Sequence, residues 1–490
     1  FTHALHQRTL HDAIAAGRRS RLHALLGERL EAAYGSRADT IAAELAAHFE
    51  EGRDHPRAIR YRQLAAANAS RRSATREAVD HLQRAEALLP ELADEGARLE
   101  AELAIQMALG PALMSTSGYA APEVEHAFTR ARAISQALGD PAALFPVLWG
   151  IWGYHVVRGE MTPARALAAQ CLALAEEVGD PAWLVEGHHA LWVTSFFCGE
   201  LAAALSHVES GLALYRPEHR AHVFLYGQDP EVVAHSYGAM ISWFMGRPEA
   251  ARRHSEDALT LGKAVGHPFS LGFAMNFATW VHYCRGDAER TRVDAEHLIT
   301  LATDQGFPFW LAGATHFAAW AMVDLGEIDA GIARMRAGLE GWRATGAGLG
   351  LPSHLGRLIE AHLAAEDPTA AAATLAEALA FNERSDQRYY EAELHRLRGV
   401  LLLRHPELAA SPTDADEALV RAVAVATAQG STWLACRAAT TLAGLRRDQG
   451  RPAEARRLLE PIIAGLDADD TSRDAAAARA LHAALPSRRK

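Results

Sequence analysis

The sequence predicts an all-α chain, a superhelical solenoid of helical hairpins with a period of about forty residues. Turn signals recur at fixed steps along it. The segments between them carry apolar residues three and four apart, the spacing of one helix face. No alternating run of Val, Ile or Thr reads as a strand.

One series of turn signals sits at Gly159-Glu160, Gly199-Glu200, Gly246-Arg247-Pro248, Gly286-Asp287, Gly326-Glu327 and Gly450-Arg451-Pro452, with a weaker mark at Glu366-Asp367-Pro368. A second, out of phase, sits at Gly139-Asp140-Pro141, Gly179-Asp180-Pro181, Gly266-His267-Pro268, Gly306-Phe307-Pro308 and Gly346. Ala- and Leu-rich segments lie between them, as from Ala164 to Val178. The glycine supplies a left-handed C-cap, and the Asp-Pro that follows caps and starts the next helix.

Before residue 130 the beat is less regular. A turn at Gly52–Pro56 precedes helices near 57–70, 73–88 and 97–114, then a loop at Ser117-Gly118-Tyr119 and a helix start at Pro122. After Arg451 come one more helix, an acidic loop from Asp467 to Thr471 and an Ala-rich helix to Leu485. The step from Gly199 to Gly246 is longer than its neighbours, and the extra residues fall near Arg216–His219. They form either an insertion between two helices or an extended helix end. The stretch Tyr215–Tyr237 packs together His219, His222, His235, Arg216, Arg220, Asp229 and three tyrosines. A repeat array carries its function on its concave face or where a repeat is interrupted, so this segment is expected to sense a ligand or partner.

Composition narrows the function classes. At 490 residues the chain exceeds one compact core, and its net charge of −11 argues against nucleic-acid binding. Four cysteines without a C-x-x-C pair fit reduced thiols in a cytosolic protein. No apolar run is long enough to span a bilayer. The start, without Met or a signal-peptide core, reads as a fragment of something longer.

The forty-residue hairpins with G-x-x-x-x-A turns resemble tetratricopeptide-like repeats. Their phrases are similar to the C-terminal sensor region of bacterial STAND-class signal-transduction ATPases. The specific phrases are His219–Pro230 (HRAHVFLYGQDP) and Tyr389–Gly399 (YYEAELHRLRG). Ala46–Glu50, His267–Leu271, Gln305–Ala312 and Arg343–Ala347 add generic helix composition, and Glu231 departs from the Gly of that family. The resemblance implies a P-loop ATPase upstream, with a cyclase or winged-helix DNA-binding effector before it. It also implies a division into residues 1–35, the end of an ATPase-associated winged-helix segment; 36–130, irregular hairpins; 131–465, the repeat array with an insertion at 215–230; and 466–490, a capping helix and tail.

Counting back ten positions from each turn glycine gives Trp149, His189, Ser236, Asn276 and His316, and one position earlier His188 and His235. First helices of stacked hairpins line the concave groove, so these form a polar stripe along it. Either the position is partly exposed and tolerates polar residues, or the groove hydrogen-bonds a ligand. Trp152, Trp192, Trp243, Trp280, Phe309, Trp310 and Trp320 share the helices, as inter-repeat packing or as a stacking cage. The candidate ligand-binding residues are His188, His189, His219, Arg220, His222, Tyr226, Asp229, His235, Ser236, Asn276, Trp280, His316 and Trp320.

No metal site is expected, because no H-E-x-x-H or paired-cysteine spacing accompanies the histidines. Gly262-Lys263-Ala264 lacks the first Gly and the Ser/Thr of a Walker A loop, and G-x-S-x-G is absent. The expectation is a non-enzymatic module without a cofactor, touching neither membrane nor nucleic acid. It would bind a small molecule, or a peptide or protein, in its groove and act on upstream domains of the same polypeptide. The competing expectation is a static scaffold for a peptide or helix. An enclosed central cavity favours a small molecule, and an open groove favours a peptide.

Overall fold

The structure, a computed structural model, describes residues 13–139 and 141–486, with the side chains of residues 141, 142, 221, 222 and 224 outside the description. Among the described residues there are helices and turns but no strand. They form two compact units, one running to Thr116 and adding Pro122–Val147, the other comprising Ser117–Ala121 and the chain from Leu148.

The first unit holds α1 (Ala16–Tyr34), α2 (Ala42–Glu51), α3 (His55–Arg71), α4 (Thr75–Ala87), α5 (Glu95–Ser117) and α6 (Pro122–Leu138). Leu45, Phe49, Ala58, Tyr61 and Ala65 make its core, and the Phe49 and Tyr61 rings stack at 5.6 Å. α1 packs directly on α2. A Cβ at Gly27 would come within 2.9 Å of the Phe49 ring, so only glycine admits that contact.

α7 (Pro141–Arg158), α8 (Met161–Val178), α9 (Pro181–Phe197) and α10 (Leu201–Leu214) open the repeat array. α12 (Pro230–Phe244) and α13 (Pro248–Val265), α14 (Pro268–Arg285) and α15 (Ala288–Gln305), and α16 (Pro308–Asp324) and α17 (Ile328–Ala344) continue it. α18 (Leu351–Ala364) and α19 (Pro368–Ser385), α20 (Glu391–Arg404) and α21 (Asp414–Ala428), and α22 (Thr432–Asp448) and α23 (Pro452–Gly465) follow, and α24 (Arg473–Ala484) ends it. This is the expected solenoid of tetratricopeptide-like hairpins. The punctuation works as its chemistry requires: Gly179 takes φ 73°, and the Asp180 carboxylate accepts from the Ala182 and Trp183 N–H groups of α9.

The interruption is an insertion. Arg216 precedes Pro217 and is held extended, so α10 stops at Leu214; a 3-10 turn at Pro217–His222 and the single-turn α11 (Val223–Tyr226) follow. Asp229 then caps α12 as its sequence indicates, accepting from Glu231 and Val232 N–H at 3.1 Å.

Successive turns of the superhelix touch. The Val157 carbonyl ending α7 accepts from Gly348 N–H (2.8 Å) and Leu349 N–H (2.9 Å). The Phe197 carbonyl ending α9 accepts from Arg388 N–H and Tyr389 N–H. Ser431 Oγ donates to the Phe244 carbonyl and Arg473 Nη2 to the Gly286 carbonyl, each across 187 residues of sequence. Last-turn carbonyls have no partner within their own helix, so α7, α9 and α12 are finished by the chain one superhelical turn later. The coil is closed upon itself.

Candidate functional site

Inside that coil, in the second unit, the first helices of the hairpins line a cavity of about 120 Å³. α7 supplies Trp149, Trp152 and Gly153; α9 supplies His189 and Phe197; α14 supplies Phe273, Asn276, Phe277 and Trp280. α16 brings Phe309, Trp310 and Phe317, and α18 brings Ser353, His354 and Arg357. Tyr237 and Met240 of α12, Trp342 of α17, and Leu349, Gly350 and Tyr389 from turns add to the wall. Gln228 comes from the end of the insertion and Tyr119 from the 117–121 segment, and the Tyr119 hydroxyl donates to Gln228 Oε1 at 2.9 Å. Gly118 and Gly346 let that segment lie close to the turn after α17, because a Cβ on Gly346 would stand 2.6 Å from the Ala120 carbonyl.

The wall is aromatic and rich in donors. Arg357 is 1% exposed, and its Nη2 lies 3.1 Å from Nδ1 of His354. Its Nε and Nη1 have no hydrogen-bond partner in the protein, and no carboxylate of the described residues pairs with it. Its guanidinium carbon sits 4.6 Å from the Phe317 ring centre and 5.0 Å from that of Tyr283. The indole N–H groups of Trp149, Trp310 and Trp342 are likewise buried without a partner. Burial, with the charge of Arg357 beside it, holds the His354 imidazole well below its ordinary pKa, so it is neutral.

Of the candidate ligand-binding residues named from sequence, the structure brings His189, Asn276 and Trp280 to the cavity, beside Trp149, Trp152, Phe309 and Trp310 of the aromatic set. His189 stacks on Trp192 at 4.8 Å and is oriented by Glu186, whose Oε2 lies 2.8 Å from Nδ1. Asn276 Oδ1 stands where a Cβ on Gly313 would be 3.2 Å away. The others lie elsewhere. His188 and His235 pair with second-helix histidines, His207 and His254, at 3.0 Å each. His316 is buried with its two ring nitrogens 3.3 Å from the Met335 carbonyl and 3.1 Å from that of His354. Ser236 donates back to the Val232 carbonyl. Trp320 packs edge-on against Tyr283 outside the cavity, and Tyr226 packs behind Trp149 at 4.8 Å.

Asp229 and Arg220 face each other at 3.8 Å, and His219 Nδ1 accepts from Arg216 N–H, all in the insertion and away from the cavity wall. The His222 side chain lies outside the described residues. Sequence reasoning missed Arg357, His354, Gln228 and Tyr119. Counting back ten positions from Glu366 in the weakly marked hairpin reaches Gly356, one residue short of Arg357.

Among the described residues, no group of three or more His, Cys, Asp or Glu is arranged to hold a metal ion, and no helix is long and apolar enough to cross a membrane. All four cysteines are buried thiols.

No family model matches the chain. It is 25% identical over 444 residues to a protein of Rhizobium meliloti (strain 1021) described as uncharacterized, covering 89% of this chain and 42% of that protein. The chain thus spans about two-fifths of the length of the curated relative it matches. Among solved structures it is similar to a Rap protein complexed with competence and sporulation factor, at TM-score 0.48 and 9% identity, covering 78% of this chain and 97% of that one. It is also similar to a STAND protein with a tetratricopeptide repeat sensor from Pyrococcus horikoshii, at TM-score 0.35 and 18% identity, covering 66% and 47%.

Proposed function

We propose that this chain is a sensor module that binds a small molecule in the central cavity of its closed superhelix and acts by binding, not by catalysis. The observation that carries this is the cavity itself, aromatic on all sides and set with buried N–H donors that the protein leaves unmatched. An unpaired buried donor costs about 1–3 kcal/mol, and a ligand acceptor recovers that cost. A peptide needs a continuous open groove, whereas here consecutive superhelical turns are hydrogen-bonded to one another.

The geometry also supplies a route from binding to signalling. The α7 and α9 residues lining the cavity lie within two turns of the carbonyls that receive the next superhelical turn, Val157 and Phe197. Occupancy favours the coil with those contacts made, and a ligand shifts such an equilibrium only by its differential affinity for the two states. The coil in turn biases upstream ATPase and effector domains of the same polypeptide, in the manner of the STAND-class sensors that the phrases at 219–230 and 389–399 resemble.

Differential scanning fluorimetry against fractionated metabolite extract of the source cells tests the binding. One low-molecular-weight fraction should raise the melting temperature reproducibly, since a ligand at a hundredfold its Kd adds about 2.7 kcal/mol. Extract in which only protease-sensitive, peptide-sized material shifts the transition would overturn the small-molecule reading.

A further inference from the structure

We infer that the ligand is a small carboxylic acid with an aromatic or branched apolar body, its carboxylate held by Arg357; this deepens the cavity reading above and rests on it. Among the described residues, Arg357 is the one cationic side chain in the cavity wall. A guanidinium stays charged at any pH a protein experiences, and burying it without a counter-ion is strongly unfavourable. No carboxylate of the described residues supplies that counter-ion. On the same helix, Glu360 is held by Arg396 at 3.1 Å and Arg437 at 2.7 Å, and Glu393 by the same two arginines.

What supports the Arg357 cation is the pair of ring faces of Phe317 and Tyr283, which leave Nε and Nη1 with their N–H donors unused. His354 accepts at Nδ1 from Arg357, so its proton sits on Nε2, a further donor in the same wall. Donors around one positive charge match a monoanion with acceptor oxygens. A phosphate monoester, carrying about −1.5 to −2 charges, would need a second cation. Size bounds the apolar body: a cavity of about 150 Å³ holds benzene, so this one, at about 120 Å³, admits no more than about one ring.

The test is calorimetry with probes of one shape and different charge: phenylacetate, phenylacetamide, phenethylamine and phenyl phosphate. Phenylacetate should bind one to a chain and at least about tenfold more tightly than phenylacetamide, the ratio expected of a charge-assisted hydrogen bond. Arg357→Gln should abolish that preference, lowering phenylacetate binding by at least about tenfold. Should that variant not fold, Arg357→Lys, which keeps the charge but not the fork, should narrow the preference without erasing it. Equal binding of acid and amide, tighter binding of the amine or the phosphate, or an Arg357→Gln protein that still prefers the acid would each overturn the carboxylate inference while leaving the cavity reading standing. Failure of all four probes would count against the cavity reading itself.

Discussion

Nη2 of Arg357 stands 3.1 Å from Nδ1 of His354, and the His354 ring in turn lies edge-on to His316 at 4.6 Å. Arginine only donates, so His354 must be neutral with its proton on Nε2. Burial, joined by the charge of Arg357, likewise holds His316 well below its ordinary pKa. A neutral His316 donates to one of the two carbonyls beside it, Met335 or His354. Nitrogen NMR of the labelled protein at pH 6 should show both rings neutral, His354 as the Nε2–H tautomer. Imidazolium signals from either ring would contradict the arrangement.

The other buried histidines make stability depend on pH. Burial lowers His254 and His267 to about 4, and lowers His188, His207 and His235 as well. Between the unfolded value near 6.5 and about 4, the unfolded chain binds more protons than the folded one, so stability rises with pH in that window. Urea midpoints should therefore fall from pH 7.5 to pH 5. A midpoint that does not move would mean that these rings are solvated.

Two glycine series that look alike in sequence differ in their surroundings. Gly199 and Gly246 take φ 80° and 74°, and a Cβ on either would press within 2.8 Å of Gln429 or Thr432 on the next superhelical turn. Gly179 and Gly266 take φ 73° and 68° with nothing within 4 Å. Alanine at Gly179 or Gly266 should cost about 1–2 kcal/mol, from the left-handed backbone alone. At Gly199 or Gly246 overpacking adds about 1–3 kcal/mol. Thermal melts of the four variants decide this, and equal losses would mean that the turns do not close.

Glu393, 1% exposed, accepts from Arg396 and Arg437, and Arg437 also reaches Glu360 and Asp474. Attraction to the two guanidiniums outweighs burial and holds its carboxyl below the ordinary value. Removing one partner of such a buried network strands the remaining charges, so Glu393→Gln should lose about 3–5 kcal/mol by urea denaturation. A loss below about 1 kcal/mol would mark the network as effectively solvent-exposed.

The hairpins, their caps and the Asp229 N-cap were legible because they depend on residues a few positions apart. The pitch of the superhelix was not. It is set by contacts such as Val157 with Gly348, which no local pattern records. The stripe was half informative: His189 and Asn276 reach the cavity, whereas His316 sits at the same repeat position and is turned to two backbone carbonyls. Arg357 was overlooked because it lies one residue past the stripe position: ten back from Glu366, which adopts φ 55° where the others have glycine, is Gly356. Tyr119 reaches the cavity from a loop far away in sequence, and Gln228 from an insertion whose histidines drew attention instead.

Gly153 offers the most direct test of the central claim. It lines the cavity from α7, and a Cβ added there meets nothing within 4 Å. Gly153→Leu should therefore extend from an unobstructed Cβ into ligand space and gain helix propensity of up to about 1 kcal/mol. Native mass spectrometry of the wild-type chain and this variant, purified side by side from the source cells, reads the outcome. The account predicts a discrete small adduct on the wild type that is absent from an equally stable Gly153→Leu protein. An adduct of the same mass retained by the variant would place the ligand somewhere other than this cavity and contradict the account.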